Sequence, residues 1–178
     1  MIPKLTTSIA IEALATAKNP PAPRSVPPSV LAEKFVVRAR KRLIQAMEEL
    51  GKRNGRSANS EAVRAATASL EGRHEAITSI NVLKAYLGPE RTAAALQEIT
   101  PYVLATAYGT SKKVIRLPDG VRDGISDAVD RSVAINDRKF PSMNAWFLDA
   151  LIWWLNNQQE LPALLKVCVE LDRERADS

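Results

Sequence analysis

The chain has 178 residues and a mass of 19.5 kDa, which suits one ordinary domain or two very small ones. Apolar residues make up 46% of the sequence and charged residues 25%, a balance typical of a globular protein rather than a disordered one. No stretch approaches the roughly 18 apolar residues of a membrane helix. One cysteine, Cys168, and one histidine, His74, leave no material for an internal disulfide or a histidine-based metal site. We therefore expect a cytoplasmic protein with no cofactor and no metal.

The positive charge of the chain is concentrated in one segment. The net charge is +5; residues 33–73 hold ten Lys or Arg and five Glu, whereas residues 112–160 hold seven residues of each sign. Such a segment can attract nucleic acid, but a solvated helix face explains the clustering equally well. Charge alone therefore permits DNA binding without showing it.

Residues 1–32 are predicted to form an N-terminal arm and a linker. Residues 7–17 have the composition of a short helix, and residues 19–28 contain five of the eleven prolines. Proline removes backbone donors and favours extended backbone, which indicates a linker.

A strand begins the first predicted unit, residues 33–73. Residues 34–39 alternate as a half-buried strand does. The apolar face carries Phe35, Val37 and Ala39, and the other face carries Lys34, Val36 and Arg38.

Two helices are predicted to complete this unit. Apolar residues recur at helical spacing over residues 43–50, and Gly51 followed by Asn54-Gly55 is predicted to break that helix. Ser57 or Asn59 is expected to cap the second helix.

Residues 74–110 are predicted to be a helical connector, divided at Gly88-Pro89 and at Pro101. The pattern of the first unit then returns in residues 111–160. Residues 112–117 form the predicted strand, with Lys112, Val114 and Arg116 on one face. Valines and Ile125 recur at helical spacing over residues 121–133, and a loop follows over residues 136–141.

Ser142 or Asn144 is expected to cap a long apolar helix that contains Trp146, Trp153 and Trp154. We interpret these tryptophans as core or interface residues rather than base-stacking residues. A separate final helix is predicted near residues 161–171, inside a C-terminal segment 161–178.

The first unit resembles the ribbon-helix-helix family of DNA-binding proteins, and within it the Arc-type repressors. The residues that carry the resemblance are the strand Phe35-Val36-Val37-Arg38 and the turn Asn54-Gly55-Arg56-Ser57-Ala58-Asn59-Ser60-Glu61. The second unit resembles the same family through Val114-Ile115-Arg116-Leu117-Pro118 and Ser142-Met143-Asn144-Ala145, with a longer connection between the two motifs. The TraY-like proteins of conjugation resemble this chain in carrying two such units.

The resemblance implies a mainly α fold of tandem ribbon-helix-helix units, each with one short strand and two helices, plus extra connecting helices. One such unit leaves its strand edges and an apolar face open, so two units form a two-stranded antiparallel ribbon. We predict that strands 34–39 and 112–117 pair within one chain, because linked half-folds have a high effective concentration for each other. Pairing of like strands across a homodimer is the alternative.

The resemblance also implies that the ribbon enters the major groove of double-stranded DNA, while helix starts contact phosphates. By motif position, the base-reading residues are Lys34, Val36, Arg38, Lys112, Val114 and Arg116. The phosphate-binding residues are Arg40, Lys41, Arg42, Ser57, Ala58, Asn59, Ser142, Met143 and Asn144.

Two departures from the Arc pattern are visible in the sequence. The central valines of the two strands stand where a base-reading amide is expected, so specificity would depend on Lys and Arg. Arg56 and Glu61 match two members of the buried Arg–Glu–Arg cluster of such folds, but Ala65 stands at the third position.

The predicted function is sequence-specific binding of double-stranded DNA, as a transcriptional repressor. The alternatives are a plasmid-transfer accessory protein, an antitoxin whose Trp-rich C-terminal part binds a protein partner, and a helical adaptor without DNA binding, which the neutral second unit favours. Self-association on adjacent DNA sites is a further expectation. No nucleophile–base pair or carboxylate dyad stands out, so no enzyme activity is expected.

Overall fold

The computed structural model describes residues 32–103, 110–134 and 140–177. Residues 1–31 of the predicted N-terminal arm and linker lie outside these ranges, as do most of the predicted loop 136–141 and most of the third connector piece after Pro101. Within the three ranges, no helix is both long enough and apolar enough to cross a lipid bilayer.

The described part of the chain is mainly helical and contains two strands. In chain order the elements are β1 (Glu33–Arg40), α1 (Lys41–Arg53), α2 (Ala58–Leu70), α3 (His74–Leu96), β2 (Thr110–Leu117), α4 (Val121–Ala134) and α5 (Met143–Ala176). Each strand is followed by two helices, and α3 lies between the two groups. The predicted fold class is confirmed.

The two strands form one antiparallel ribbon within the chain. Val36 lies opposite Val114 at the middle of the register, with Lys34 opposite Arg116 on one side of this pair. The inner face of the ribbon is buried, as the alternation predicts; its buried residues are Val37, Ala39, Ile115 and Leu117.

The core beneath the ribbon combines small residues of α2 with large residues of α5. The buried face of α2 consists of Ala62, Ala65 and Ala66, whereas α5 buries Trp146, Phe147, Ala150 and Leu151 in the same cluster. The ring of Phe147 also meets Phe35 from the ribbon, with 5.1 Å between ring centroids. Large side chains therefore fill the space that the alanines leave, which favours pairing of the first unit with the second.

Gly51 lies inside α1, contrary to the prediction that it helps to break this helix. The helix continues to Arg53 and ends at Asn54-Gly55, where Gly55 has a φ of 65°. A Cβ at Gly51 would lie 2.8 Å from the carbonyl oxygen of Arg56 and 3.0 Å from the backbone nitrogen of Ala58. Glycine is needed here because the start of α2 passes directly against α1.

Pro162 lies inside α5, so the predicted separate helix near residues 161–171 is instead the second half of one 34-residue helix. Interior proline is unfavourable by about 3 kcal/mol, but packing on both sides of it offsets this penalty. Before the proline, α5 contributes to the main core. After it, Leu164 and Cys168 are buried against Leu87 of α3 in a second cluster. Burial raises the pKa of the Cys168 thiol, as expected of a small core residue.

Candidate nucleic-acid interface

The outer face of the ribbon carries the six residues that the sequence predicted to read bases, with Arg40 and Thr110 at one end. All six are exposed, and they alternate along the strands with the residues of the inner face. The six are Lys34, Val36, Arg38, Lys112, Val114 and Arg116. Val36 is 47% exposed and Val114 is 51% exposed, which is unusual for valine in a strand of a packed protein. The structure thus brings all six predicted residues onto one surface.

These six residues are arranged with local two-fold symmetry. The register that places Val36 opposite Val114 also places Arg38 opposite Lys112. A two-fold rotation about the middle of the ribbon therefore exchanges Lys34 with Lys112 and Arg38 with Arg116. Both strands present Lys-x-Val-x-Arg to the outside, although the rest of the two units differs in sequence.

Two asparagines attach the starts of α2 and α5 to the open edges of the ribbon. The Oδ1 atom of Asn144 accepts from the Arg38 backbone nitrogen at 2.8 Å, and its Nδ2 atom donates to the Arg38 carbonyl at 3.2 Å. Asn59 makes the same pair of bonds to Arg116, at 2.7 and 3.2 Å. Edge strands need partners for these groups, and each asparagine supplies them from the opposite unit.

The sequence placed both asparagines among the phosphate-binding residues through the backbone N–H groups of their helix starts, and that stays a prediction. Their side chains are occupied by the strand backbone, so they position the neighbouring helix starts. A helix start offers backbone N–H groups without partners inside the helix and the positive end of its dipole. The starts of α2 and α5 are thereby held beside the two arginines of the outer face.

Serine side chains begin both of these helices. The Oγ atom of Ser57 accepts from the Ser60 backbone nitrogen at 3.1 Å, and that of Ser142 accepts from the Ala145 backbone nitrogen at 3.2 Å. Of the two cap candidates in each unit, the serine is therefore the cap. Ala58 and Met143 follow as the first helical residues, and both are half-buried.

Helix α1 begins with positive charge and with neither an acidic residue in its first turn nor a side-chain cap. Lys41 and Arg42 are exposed there, and Arg40 is half-buried at the end of β1. Positive charge at a helix start opposes the helix dipole, and an anion placed nearby would remove that penalty.

The corresponding part of the second unit is acidic. Pro118, Asp119 and Gly120 follow β2 at the positions that correspond to Arg40 at the end of β1 and to Lys41 and Arg42 at the start of α1. The exposed acidic residues on and before α4 are Asp119, Asp123, Asp127 and Asp130. The ribbon is therefore symmetric in its outer residues, while its flanks differ in charge.

Glu61 has a buried partner that the sequence did not reveal. Its carboxylate is fully buried, and the indole Nε1 of Trp154 donates to Oε2 at 2.9 Å. On the other oxygen, Asn54 Nδ2 donates at 3.1 Å and Arg56 Nη1 at 3.4 Å. Trp154 thus supplies the donor that is missing at Ala65. It lies 93 positions along the chain from Glu61, so no local motif could have identified it.

Comparison with protein-family models, with curated proteins and with solved structures finds no match for this chain.

Proposed function

We propose that this protein binds double-stranded DNA by placing its ribbon in the major groove, as ribbon-helix-helix proteins do, and that it acts as a transcriptional repressor. A plasmid-transfer accessory protein would use the same interface. The observation that carries the proposal is the two-fold symmetric outer face, with one exposed Lys-x-Val-x-Arg set from each strand.

The chemistry of this face suits base edges. Arg and Lys donate to guanine O6 and N7 in the major groove, and a valine can contact the methyl group of thymine. Val36 and Val114 lie at the centre, with one Lys–Arg pair on each side. This order favours a site in which guanines flank a central A·T-containing step on both sides.

The surroundings of the ribbon suit the phosphates that border the groove. The starts of α2 and α5 are attached to opposite edges of the ribbon, and helix starts bind phosphate through backbone N–H groups and the dipole. Lys41 and Arg42 add exposed positive charge beside β1.

The test is substitution of the two outer arginines, singly, followed by electrophoretic shifts on matched and mismatched DNA. We expect Arg38→Ala and Arg116→Ala each to weaken binding to the selected site by about 1–3 kcal/mol, and each to relax preference at one of two dyad-related base positions. The control is Arg91→Ala, which removes an exposed arginine of α3. Equal losses on all sequences would contradict base reading by these residues.

A further inference from the structure

A cavity of about 1030 Å³ lies beside the proposed DNA-binding surface. It opens between the end of β1, helix α1, residues 98–103 and helix α5, and its apolar lining includes Leu43, Leu148, Ile152 and Pro162. Small-molecule sites have volumes of roughly 300–1,000 Å³ and are mostly apolar with a few polar groups. The cavity is therefore of the size and character of a ligand site.

Two side chains that line this cavity each have a buried polar atom without a hydrogen-bond partner. The atoms are Nη2 of Arg40 and Oε1 of Gln159, and they are the buried side-chain polar atoms without a partner in the described ranges. Both residues line the cavity. Arg40 therefore brings a charged donor to the lining, and Gln159 brings an amide that can donate or accept.

The charge of the lining favours an anionic ligand. Four arginines line the cavity against one acidic residue, Glu98; the arginines are Arg38, Arg40, Arg42 and Arg53. A cavity lined by one sign of charge concentrates ligands of the opposite sign.

One wall of the cavity is held in place by a side chain of α5. The Tyr102 backbone nitrogen donates to Asn156 Oδ1 at 2.7 Å, and Asn156 Nδ2 donates to the Tyr102 carbonyl at 3.0 Å. The segment 101–103 is thereby fixed to α5.

We propose that this cavity binds an organic anion, a carboxylate, sulfonate or phosphate group on an apolar body. The anionic group pairs with Arg40, a donor on the body pairs with Gln159, and the body lies on the apolar lining. Arg38 and Arg42 border both the cavity and the proposed DNA surface, so the bound anion lowers affinity for DNA. This effect on DNA affinity rests on the proposed function. By thermodynamic linkage, bound DNA lowers the affinity for the anion by the same factor.

The site is tested with 1-anilinonaphthalene-8-sulfonate, an anion with an apolar body and an N–H group, by fluorescence titration of the DNA-free chain. N-phenyl-1-naphthylamine, which lacks the sulfonate, is the matched neutral probe. We expect one sulfonate-probe site that Arg40→Gln weakens at least about tenfold, with little change for the neutral probe. Gln159→Leu should also weaken the sulfonate probe, whereas Arg91→Gln should not. Circular dichroism checks that every variant remains folded.

Absence of sulfonate-probe binding to the folded wild-type chain would overturn the site, as would equal weakening by Arg40→Gln and Arg91→Gln. The coupling is tested by electrophoretic shift with and without saturating probe. A rise of at least about threefold in the DNA dissociation constant for the wild-type chain, and none for Arg40→Gln at the same probe concentration, supports it. An unchanged constant with probe bound overturns the coupling alone. Failure to bind any DNA overturns the proposed function and the coupling, while the fluorescence result still decides the site.

Discussion

Glu61 is a fully buried carboxylate whose oxygens take donors from both units of the chain. Asn54 and Arg56 lie in the turn that precedes it, and Trp154 reaches it from α5. Arg56 is 42% exposed, so its ion pair with Glu61 is partly screened by solvent. The neutral donors of Asn54 and Trp154 therefore contribute a substantial part of the stabilisation of this carboxylate.

Replacing Trp154 with Phe tests this arrangement. Phenylalanine keeps one aromatic ring but loses the pyrrole part of the indole, so one oxygen of a buried carboxylate loses its donor and some packed volume is lost. Together these losses should destabilise the fold by about 1–3 kcal/mol in urea unfolding. Trp153→Phe is the control, because it removes a neighbouring indole N–H of α5 that does not bond to Glu61. A double-mutant cycle with Glu61→Gln isolates the coupling. Equal losses from the two Trp→Phe variants would contradict the role assigned to Trp154.

At the scale of elements, the asparagine attachments join each second helix to the strand of the other unit. Asn59 fixes the start of α2 to β2, and Asn144 fixes the start of α5 to β1. The ribbon and the two helix starts thus form one connected surface, in which hydrogen bonds set the spacing between the outer side chains and the helix starts.

Asn59→Ala and Asn144→Ala should each remove two hydrogen bonds and leave edge groups of the ribbon to water. We expect each to destabilise the fold by about 1–2 kcal/mol and to weaken DNA binding by more than the control Asn81→Ala, an exposed asparagine of α3. Urea unfolding and DNA titration measure the two effects. Wild-type DNA affinity in both variants would show that these attachments do not position the helix starts.

The elements themselves follow closely from local sequence, and the exceptions have tertiary causes. The alternation in residues 34–39 and 112–117 predicts both strands and both outer faces, because the side-chain period of a strand is fixed. The sequence predicts a break that begins at Gly51 and a separate helix near residues 161–171, but α1 continues through Gly51 and α5 continues through Pro162. Close contact with α2 requires the glycine, and packing of α5 on both clusters holds the proline; neither contact can be read from neighbouring residues.

For the candidate site, the sequence predicts placement within a single element but not contacts between two elements. The six outer residues follow from strand period alone. The bonds of Asn59 and Asn144 join residues 57 and 106 positions apart, and the cavity brings Arg40 near Gln159 only through the packing of α5. Such juxtapositions depend on the tertiary fold, so a single sequence does not show them.

At the scale of the whole molecule, a symmetric ribbon is combined with asymmetric charge. Lys41 and Arg42 are exposed beside β1, whereas acidic residues follow β2. In the second unit, Nη1 of Arg122 lies 3.8 Å from Oε2 of Glu33, so this carboxylate offsets part of the positive charge of Arg122. The first unit should therefore supply most of the general attraction to phosphate.

The salt dependence of DNA binding tests this asymmetry. Each phosphate contact adds close to one unit to the slope of log affinity against log salt, so Lys41→Gln with Arg42→Gln should reduce the slope by about one to two units. Arg122→Gln with Arg131→Gln, the matched pair in the second unit, should reduce it much less. Equal reductions from the two pairs would show that phosphate contacts are shared evenly between the units.

The most direct test of the central claim is selection of DNA from a random double-stranded pool by the purified chain, followed by sequencing. The structure predicts enrichment of a short site with two-fold symmetry, in which guanines flank a central A·T-containing step, because both strands present the same Lys-x-Val-x-Arg face. The enrichment should be lost when Arg38 and Arg116 are both replaced by Ala. No enrichment over the starting pool, or an enriched site that the double variant selects equally well, would contradict the account.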